Sequence, residues 1–288
     1  MAVVLITGCS SGIGKVSALA FARNGYHVFA GARNPDDCAD LTPVAAQESL
    51  ALEIVRLDVT DERAIHAAVA RAIDVCGRID VLVNNAGVAG IAALEEMPDA
   101  VIDRMMQVNF IAPVRLSRAV LPHMRAQGHG RIIMVSSLSA LVGLPGEAIY
   151  SASKAALEAM AEGLRYEVDR FNISVSVIEP GLFNTAMQGK TVMNAVCPPA
   201  SSYAPLLKHL QQGVASSTGR GDDPLRVAEL LVRIAGEEKP AFRYPAGDQA
   251  GSVTETISGL DPAARERFIR AVNDTGWWSA GKRNMGSE

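Results

Sequence analysis

The 288-residue chain is nearly half hydrophobic and one-fifth charged, ordinary for a soluble globular protein and long enough for one large domain with a buried core. Its net charge of −4, from 27 basic and 31 acidic residues without a long run of either sign, argues against nucleic-acid or anionic-membrane partners. Cys9, Cys38, Cys76 and Cys197 are scattered without a CxxC and read as reduced thiols, and the five histidines show no metal-ligand spacing.

Residues 2–7 (AVVLIT) form a continuous apolar strand at the start of the chain, leaving no room for a signal peptide. No apolar run reaches membrane-spanning length, so a cytoplasmic location is expected. Gly8 breaks the strand, and Gly8, Gly12 and Gly14 lead into a helix from about Ile13 to Asn24 that Gly25 stops. Strands follow at His27–Ala30 and Ile54–Leu57, the second closed by Asp58, with a helix over Asp61–Val75 behind it. Asp80–Val83 is a fourth strand ending in Asn84-Asn85-Ala86-Gly87, and a long helical region runs from about Pro98 to Gln127. Ile132–Val135 has the length and branching of a buried parallel strand, and Ser136 and Ser137 come as it ends. A loop with Gly143, Pro145 and Gly146 leads to a small-residue helix that carries Tyr150 and Lys154 and lasts to about Phe171. Ser174–Ile178 is a sixth strand, stopped by Pro180-Gly181. This alternation predicts an α/β protein with a parallel, doubly wound sheet, a Rossmann fold.

After residue 181 the pattern loosens. Residues 182–221 hold Gly189, Pro198, Pro199, Pro205 and Gly213, with a helical piece near Tyr203–Gln212, and are read as a substrate lid because they follow a strand end. A helix is expected over Asp223–Ala235, capped near Asp222 and Asp223 with Pro224 in its first turn. A short strand is expected at Ala241–Tyr244 and a helix at Pro262–Val272 within a tail over 245–288. No repeat or linker divides residues 1–288, so one domain is expected.

Thr7-Gly8-Cys9-Ser10-Ser11-Gly12-Ile13-Gly14 lies between a strand and a helix, where glycines let the backbone approach a pyrophosphate and the helix start supplies amides. An acidic residue ending the second strand would hold the ribose hydroxyl of NAD(H). The chain has Ala30-Gly31-Ala32-Arg33 instead, with no carboxylate before Asp36. Arg33, helped by Ser10 or Ser11, suits the extra phosphate of NADP(H), which is therefore the preferred cofactor over NAD(H).

Tyr150 and Lys154 are four apart on one helix, so they share a face, and the ammonium there would favour the phenolate. With a hydroxyl at a strand's carboxyl end they make a proton-transfer site; the pairing also arises by chance. Pro113 has no N–H and removes the helical partner of the Asn109 carbonyl, which leaves either a hydrated polar point or a simple kink.

Together these stretches resemble the core short-chain dehydrogenase/reductase family across about residues 2–250. The matching residues are the 7–14 loop, Asn84–Gly87, Ser137, Tyr150-Ser151-Ala152-Ser153-Lys154, and Pro180-Gly181 with Thr185. The resemblance implies a catalytic tetrad of Asn109, Ser137, Tyr150 and Lys154, its spacing selecting Ser137 over Ser136. It also implies that Asp58 and Val59 flank the adenine, that Asn85, Ala86 and Gly87 lie along the cofactor, and that Pro180, Gly181 and Thr185 contact the nicotinamide. The activity implied is hydride transfer between nicotinamide and a carbonyl or secondary alcohol, with Tyr150 as acid/base and Lys154 also holding the nicotinamide ribose. The residues after strand two and Arg243–Gly247 look most like retinol- and 17β-hydroxysteroid-dehydrogenase-type members. Leu138, Leu141, Val142, Leu144, Met187, Met193, Val196, Leu206 and Leu207 are read either as an apolar substrate lining or as packing for the lid. Trp277 and Trp278 either close the pocket or bury in a partner subunit. Ala155, Ala159 and Gly163 form a small-residue stripe that permits close approach to the sheet or to another subunit; the family's pairing favours a homodimer or homotetramer. Two other functions are weighed: a non-catalytic NADPH-sensing binding protein, which a lost tetrad residue would favour, and an isomerising or dehydrating enzyme, which would have a longer C-terminal domain.

Overall fold

Strand β1 (Val3–Thr7) is apolar on both sides, so it is stable only where helices cover both faces of a sheet. In the computed structural model, which describes residues 1–185, 187, 196–217, 219–248 and 250–282, it lies centrally in a seven-stranded parallel sheet. Its neighbours are β2 (His27–Ala32) and β4 (Val81–Asn84), with Ile6 opposite Ala30 and Val83. The others are β3 (Leu52–Arg56), β5 (Gly130–Val135), β6 (Ile173–Pro180) and β7 (Arg243–Ala246), in the order β3-β2-β1-β4-β5-β6-β7. The chain therefore adopts a doubly wound Rossmann fold, and the order reverses between β1 and β4, where a ligand crevice forms.

Successive strand residues feed opposite cores because side chains alternate across a sheet. Leu5, Phe29, Leu82 and Ile132 pack on one side against α3 (Glu62–Cys76), α5 (Ala112–Gln127) and α6 (Ala148–Val168) through Ile65, Leu116 and Leu157. Ile6, Val28, Val83 and Ile133 pack on the other against α1 (Gly12–Arg23) and α8 (Leu225–Gly236) through Phe21, Val227 and Leu231. Each large side chain buried this way contributes about 1.5–3 kcal/mol. Gly25, at φ +78°, ends α1 as expected, with its amide on the Ala22 carbonyl and the Tyr26 amide on that of Phe21.

Several expected boundaries move. The last strand is Arg243–Ala246, two residues later than the expected Ala241–Tyr244, because Tyr244 and Ala246 register with Ile178 and Pro180 of β6. Pro224 is the N-cap residue of α8 and not part of its first turn; Asp223 Oδ1 still accepts from the Leu225 amide at 2.9 Å. A turn at Pro35–Cys38 and helix α2 (Leu41–Gln47) were not expected. The 98–127 region is three pieces: α4 (Asp99–Met106), a π turn at Gln107–Ile111 and α5. Pro113 thus follows a bulge, where the Ala112 amide bonds the Gln107 carbonyl five residues back.

Beyond β6, helix α7 (Ala204–Ser217) buries Leu207 against Ile91 and Ala93, and Val196 bridges to Ala92. Gly189 and Met193 lie outside the described residues. The tail forms α9 (Ala250–Gly259), α10 (Pro262–Val272) and α11 (Gly276–Ser279). Trp277 packs on α7, its ring centre 5.8 Å from His209, and Trp278 on the residue just before that helix, 6.2 Å from Tyr203. They thus brace that helix from outside, a role the sequence did not indicate. Ala155, Ala159 and Gly163 are exposed, so their stripe does not face the sheet. Among the described residues no helix is long and apolar enough to cross a membrane.

Candidate active site

A cleft of about 410 Å³ opens at the carboxyl ends of β1, β4, β5 and β6, the position a reversal of strand order dictates. Its inner edge is the turn after β1. Gly8 and Gly12 hold φ of +74° and +56°, and a Cβ on Gly8 would stand 2.9 Å from Ala86 Cα. Gly14 lies behind this turn, where a Cβ would collide with the Gly8 carbonyl oxygen and Asn85 Nδ2. Ser11 is the N-cap of α1 but its side chain makes no capping bond, so the helix's first amides remain open toward the cleft.

The turn is stitched to the end of β4. Thr7 Oγ1 accepts from the Asn85 and Ala86 amides, both at 2.9 Å, and Asn85 Nδ2 donates to the Thr7 and Gly8 carbonyls at 2.8 and 3.2 Å. The Asn85 side chain therefore shapes the phosphate turn from beneath. At the outer end stand Arg33, Asp58 and Val59. Burial works against the Asp58 charge, but the Thr60 amide and hydroxyl, at 3.0 and 2.8 Å, hold its carboxyl below the usual range. Asp37 and Arg104 also line this end, and nothing in the local pattern had marked them.

At the inner end Ser136, Ser137, Tyr150 and Lys154 line the cleft. Ser137 begins a short turn, its Oγ accepting from the Ser139 amide at 3.1 Å, and its hydroxyl lies near enough to the Tyr150 phenol to favour the phenolate. Lys154 Nζ donates to the Val135 carbonyl at 2.8 Å and stands 5.9 Å from the centre of the Tyr150 ring. Burial pushes the phenol up to about 12, against the influence of the Ser137 hydroxyl and with help from the nearby Glu147 carboxylate. The expected depression by Lys154 is not found: desolvation dominates the Tyr150 phenol. Burial also brings Lys154 down to about 8, opposed by Glu158.

Asn109 does not reach the cleft surface. It is buried in the π turn, its Oδ1 accepting from the Val88 amide and its Nδ2 donating to the Val88 carbonyl and to Ser153 Oγ. A Cβ on Gly87 would lie 3.6 Å from Asn109 Oδ1 and 3.7 Å from Lys154 Nζ, in ordinary contact with both, so the loop after β4 runs beside the two. Pro180, Gly181 and Thr185 line the wall facing the glycine turn, Thr185 Cβ lying 3.2 Å from where a Gly12 Cβ would be.

The expected apolar lining fares differently. Met187 lines the cleft, but Val142 and Leu206 face a neighbouring cavity and Leu207 packs from α7 onto Ile91 and Ala93. Val88, Leu182 and Phe183 from loops and Val214 from α7 supply cleft surface in their stead.

Fold and cleft define a dinucleotide-dependent oxidoreductase of the short-chain dehydrogenase class, and the family's model, described as short chain dehydrogenase, matches residues 2–195. The chain belongs to that family. It is 32% identical to a short-chain dehydrogenase from Streptomyces avermitilis of known structure, which covers 98% of both chains with a TM-score of 0.77. It is 35% identical over 251 residues to estradiol 17-beta-dehydrogenase 1 of Rattus norvegicus, covering 84% of this chain and 72% of the relative. A gluconate 5-dehydrogenase from Burkholderia cenocepacia, in complex with NADP and tartrate, superposes with a TM-score of 0.72 at 26% identity, covering 87% of this chain and 95% of the other. The family's nicotinamide dinucleotide fits this cleft: the open amides of α1 and the turn that a Gly14 Cβ would block suit its pyrophosphate.

Proposed function

We propose that the protein is an NADP(H)-dependent oxidoreductase that interconverts a carbonyl compound and its alcohol, with Tyr150 as acid/base. The observation carrying this reading is the meeting of the Ser137 hydroxyl, Tyr150 phenol and Lys154 ammonium in the cleft that the glycine turn borders. Bound NADPH supplies the hydride, and its oxidised form takes one back from an alcohol. Tyr150 gives its phenolic proton to the carbonyl oxygen. Ser137 donates a hydrogen bond to the same oxygen and stabilises the charge that develops there. Lys154 sets a positive charge beside the phenol and holds the nicotinamide ribose, while Asn109 fixes the loop carrying Gly87.

Arg33 projects at the outer end of the cleft without a hydrogen bond or ion pair among the described residues, which suits a ribose phosphate. The NADP bound to the Burkholderia relative supports the same preference. Val88, Leu182, Phe183, Met187 and Val214 give the cleft an apolar wall, favouring a hydrophobic carbonyl compound, with the segment 182–221 as its lid. The exposed stripe of Ala155, Ala159 and Gly163, with Tyr166 exposed on the same helix, is the face we assign to a second copy in a cytoplasmic homodimer or tetramer. Following NADPH absorbance against steroids, retinoids, aromatic aldehydes and short keto compounds tests the reading. Oxidation of NADPH with at least one is expected, and none with any would refute it.

A further inference from the structure

At its inner end, beside Tyr150, the cleft is lined by a carboxyl that the reaction above does not use. Glu147 lines it at the start of α6, three residues before Tyr150, and is half-buried. Its main chain is committed, the amide donating to the Leu144 carbonyl at 3.1 Å and the carbonyl accepting from the Ser151 amide at 2.9 Å. Its carboxyl has no hydrogen bond or ion pair among the described residues. The cations that line the cleft among the described residues stand elsewhere: Lys154 donates to the Val135 carbonyl, and Arg33 and Arg104 sit at the Asp58 end.

A carboxylate only accepts hydrogen bonds, and one removed from water without a donor is unfavourable. Burial accordingly raises the Glu147 pKa. The loop after β4 and α7 present apolar Val88 and Val214 to the cleft, and Ser217 Oγ, which lines it from α7, is committed to the Val214 carbonyl at 2.7 Å. We infer that Glu147 reads the substrate: a hydrogen-bond donor, ammonium or hydroxyl, next to the reacting carbon docks on its carboxylate, and an anionic group there is repelled. This rests on the oxidoreductase reading and narrows its substrate class to amino or hydroxy carbonyl compounds and the corresponding alcohols.

The full chain saturated with NADPH, to which alcohols bind without reacting, is titrated calorimetrically with four ligands sharing one scaffold. These are 1-phenylethanol, 2-amino-1-phenylethanol, 1-phenyl-1,2-ethanediol and mandelate. The amino alcohol is expected to bind at least about tenfold tighter than 1-phenylethanol, as charge-assisted hydrogen bonds do, and mandelate more weakly. Tightening shared by the diol identifies any donor as the ligand; tightening confined to the amino alcohol identifies a cation. Glu147→Gln should remove the ammonium preference and Glu147→Leu both preferences, with NADPH affinity reporting that each variant keeps its cleft. Equal affinity of the parent protein for all four ligands, or preferences unchanged in both variants, overturns the inference. Turnover of the matching ketones is measured separately. Donor preference without any turnover would sink the reductase reading and leave the Glu147 site standing.

Discussion

Asn109 and Val88 hold each other through two hydrogen bonds of 2.9 Å, the side-chain oxygen accepting from the Val88 amide and the side-chain nitrogen donating to its carbonyl. The same nitrogen donates to Ser153 Oγ at 3.0 Å, and that hydroxyl donates to the Tyr150 carbonyl at 2.7 Å. One buried amide thereby links the π turn, the loop after β4 and the helix bearing Tyr150. Asn109→Leu would leave the partly buried Val88 amide and carbonyl and the buried Ser153 hydroxyl short of a partner each, lowering the unfolding free energy by about 2–3 kcal/mol. Asn109→Asp keeps the acceptor and loses the donor, so a smaller loss is expected. Urea unfolding measures both; equal stability of all three proteins would refute the linkage.

Tyr150→Phe removes the proton donor and little volume. Turnover is expected to fall by at least about 10²–10⁴-fold, the contribution typical of a positioned acid/base. NADPH binding should survive, because the phenol oxygen is not part of the glycine turn. Parallel measurement of kcat and of NADPH fluorescence titration decides the matter, and full activity in the variant would remove Tyr150 from its role.

Most of the sheet was legible because its signals are local. A run such as VVLIT is buried wherever it lies, and Gly25 stops a helix through its own φ. Tyr150 and Lys154 face the same way because a helix repeats every 3.6 residues. What was not legible depends on partners far along the chain. The place of β7 is set by its register on β6, and the placing of Leu206 and Val142 by contacts with the C-terminal helices. The charge state of Tyr150 was misjudged for a related reason: spacing reveals a neighbouring ammonium but not the depth of burial, which here dominates. Glu147 carried no signal at all, since a single glutamate at a helix start is most simply a surface residue.

Lys154 gives a measurable pH signature. Its pKa falls from 10.5 to about 8 on folding, so between those values the unfolded chain binds the extra proton and stability rises with pH. Below about 8 both states are protonated and burying the charge costs up to roughly 3 kcal/mol. The wild-type protein without cofactor should therefore gain stability over Lys154→Met as pH rises from about 7.5 to 10, read as the difference in urea-unfolding free energies. Tyr150, raised from 10 to about 12, acts with the opposite sign only above that range. A constant difference between the two proteins would show that Lys154 is not desolvated.

Arg33→Ala should weaken NADPH while leaving NADH nearly unchanged. Loss of a charge-assisted contact to phosphate amounts to about 1.5–3 kcal/mol, or roughly ten- to a hundredfold in the ratio of KM values. Steady-state kinetics with both coenzymes provide the check, and an unchanged ratio would place the ribose phosphate elsewhere.

The most demanding prediction concerns Arg243, whose guanidinium on β7 bonds Glu158 of α6 and, at 2.5 Å, Glu179 of β6. Both carboxylates are buried, and Glu158 also accepts from Ser136 Oγ at 2.5 Å. Arg243→Met would strand two neighbouring buried carboxylates, costing about 3 kcal/mol near neutral pH, toward the lower end of the usual range because the arginine is half-exposed. Burial already raises the Glu179 pKa above its ordinary 4.5, against the bonds from Arg243. Without the arginine that rise grows. A carboxyl whose pKa is higher folded than unfolded holds a proton that unfolding releases, so its stabilising effect is present at low pH and lost as pH rises through the folded value. The deficit of Arg243→Met should consequently be small near about pH 5 and large near about pH 8, measured as the difference in unfolding free energy from wild type. Adding Glu158→Gln should restore part of the loss at the higher pH, since one charge of the stranded pair is gone. A deficit independent of pH, or no rescue by the second substitution, would mean that Arg243 acts only by filling space.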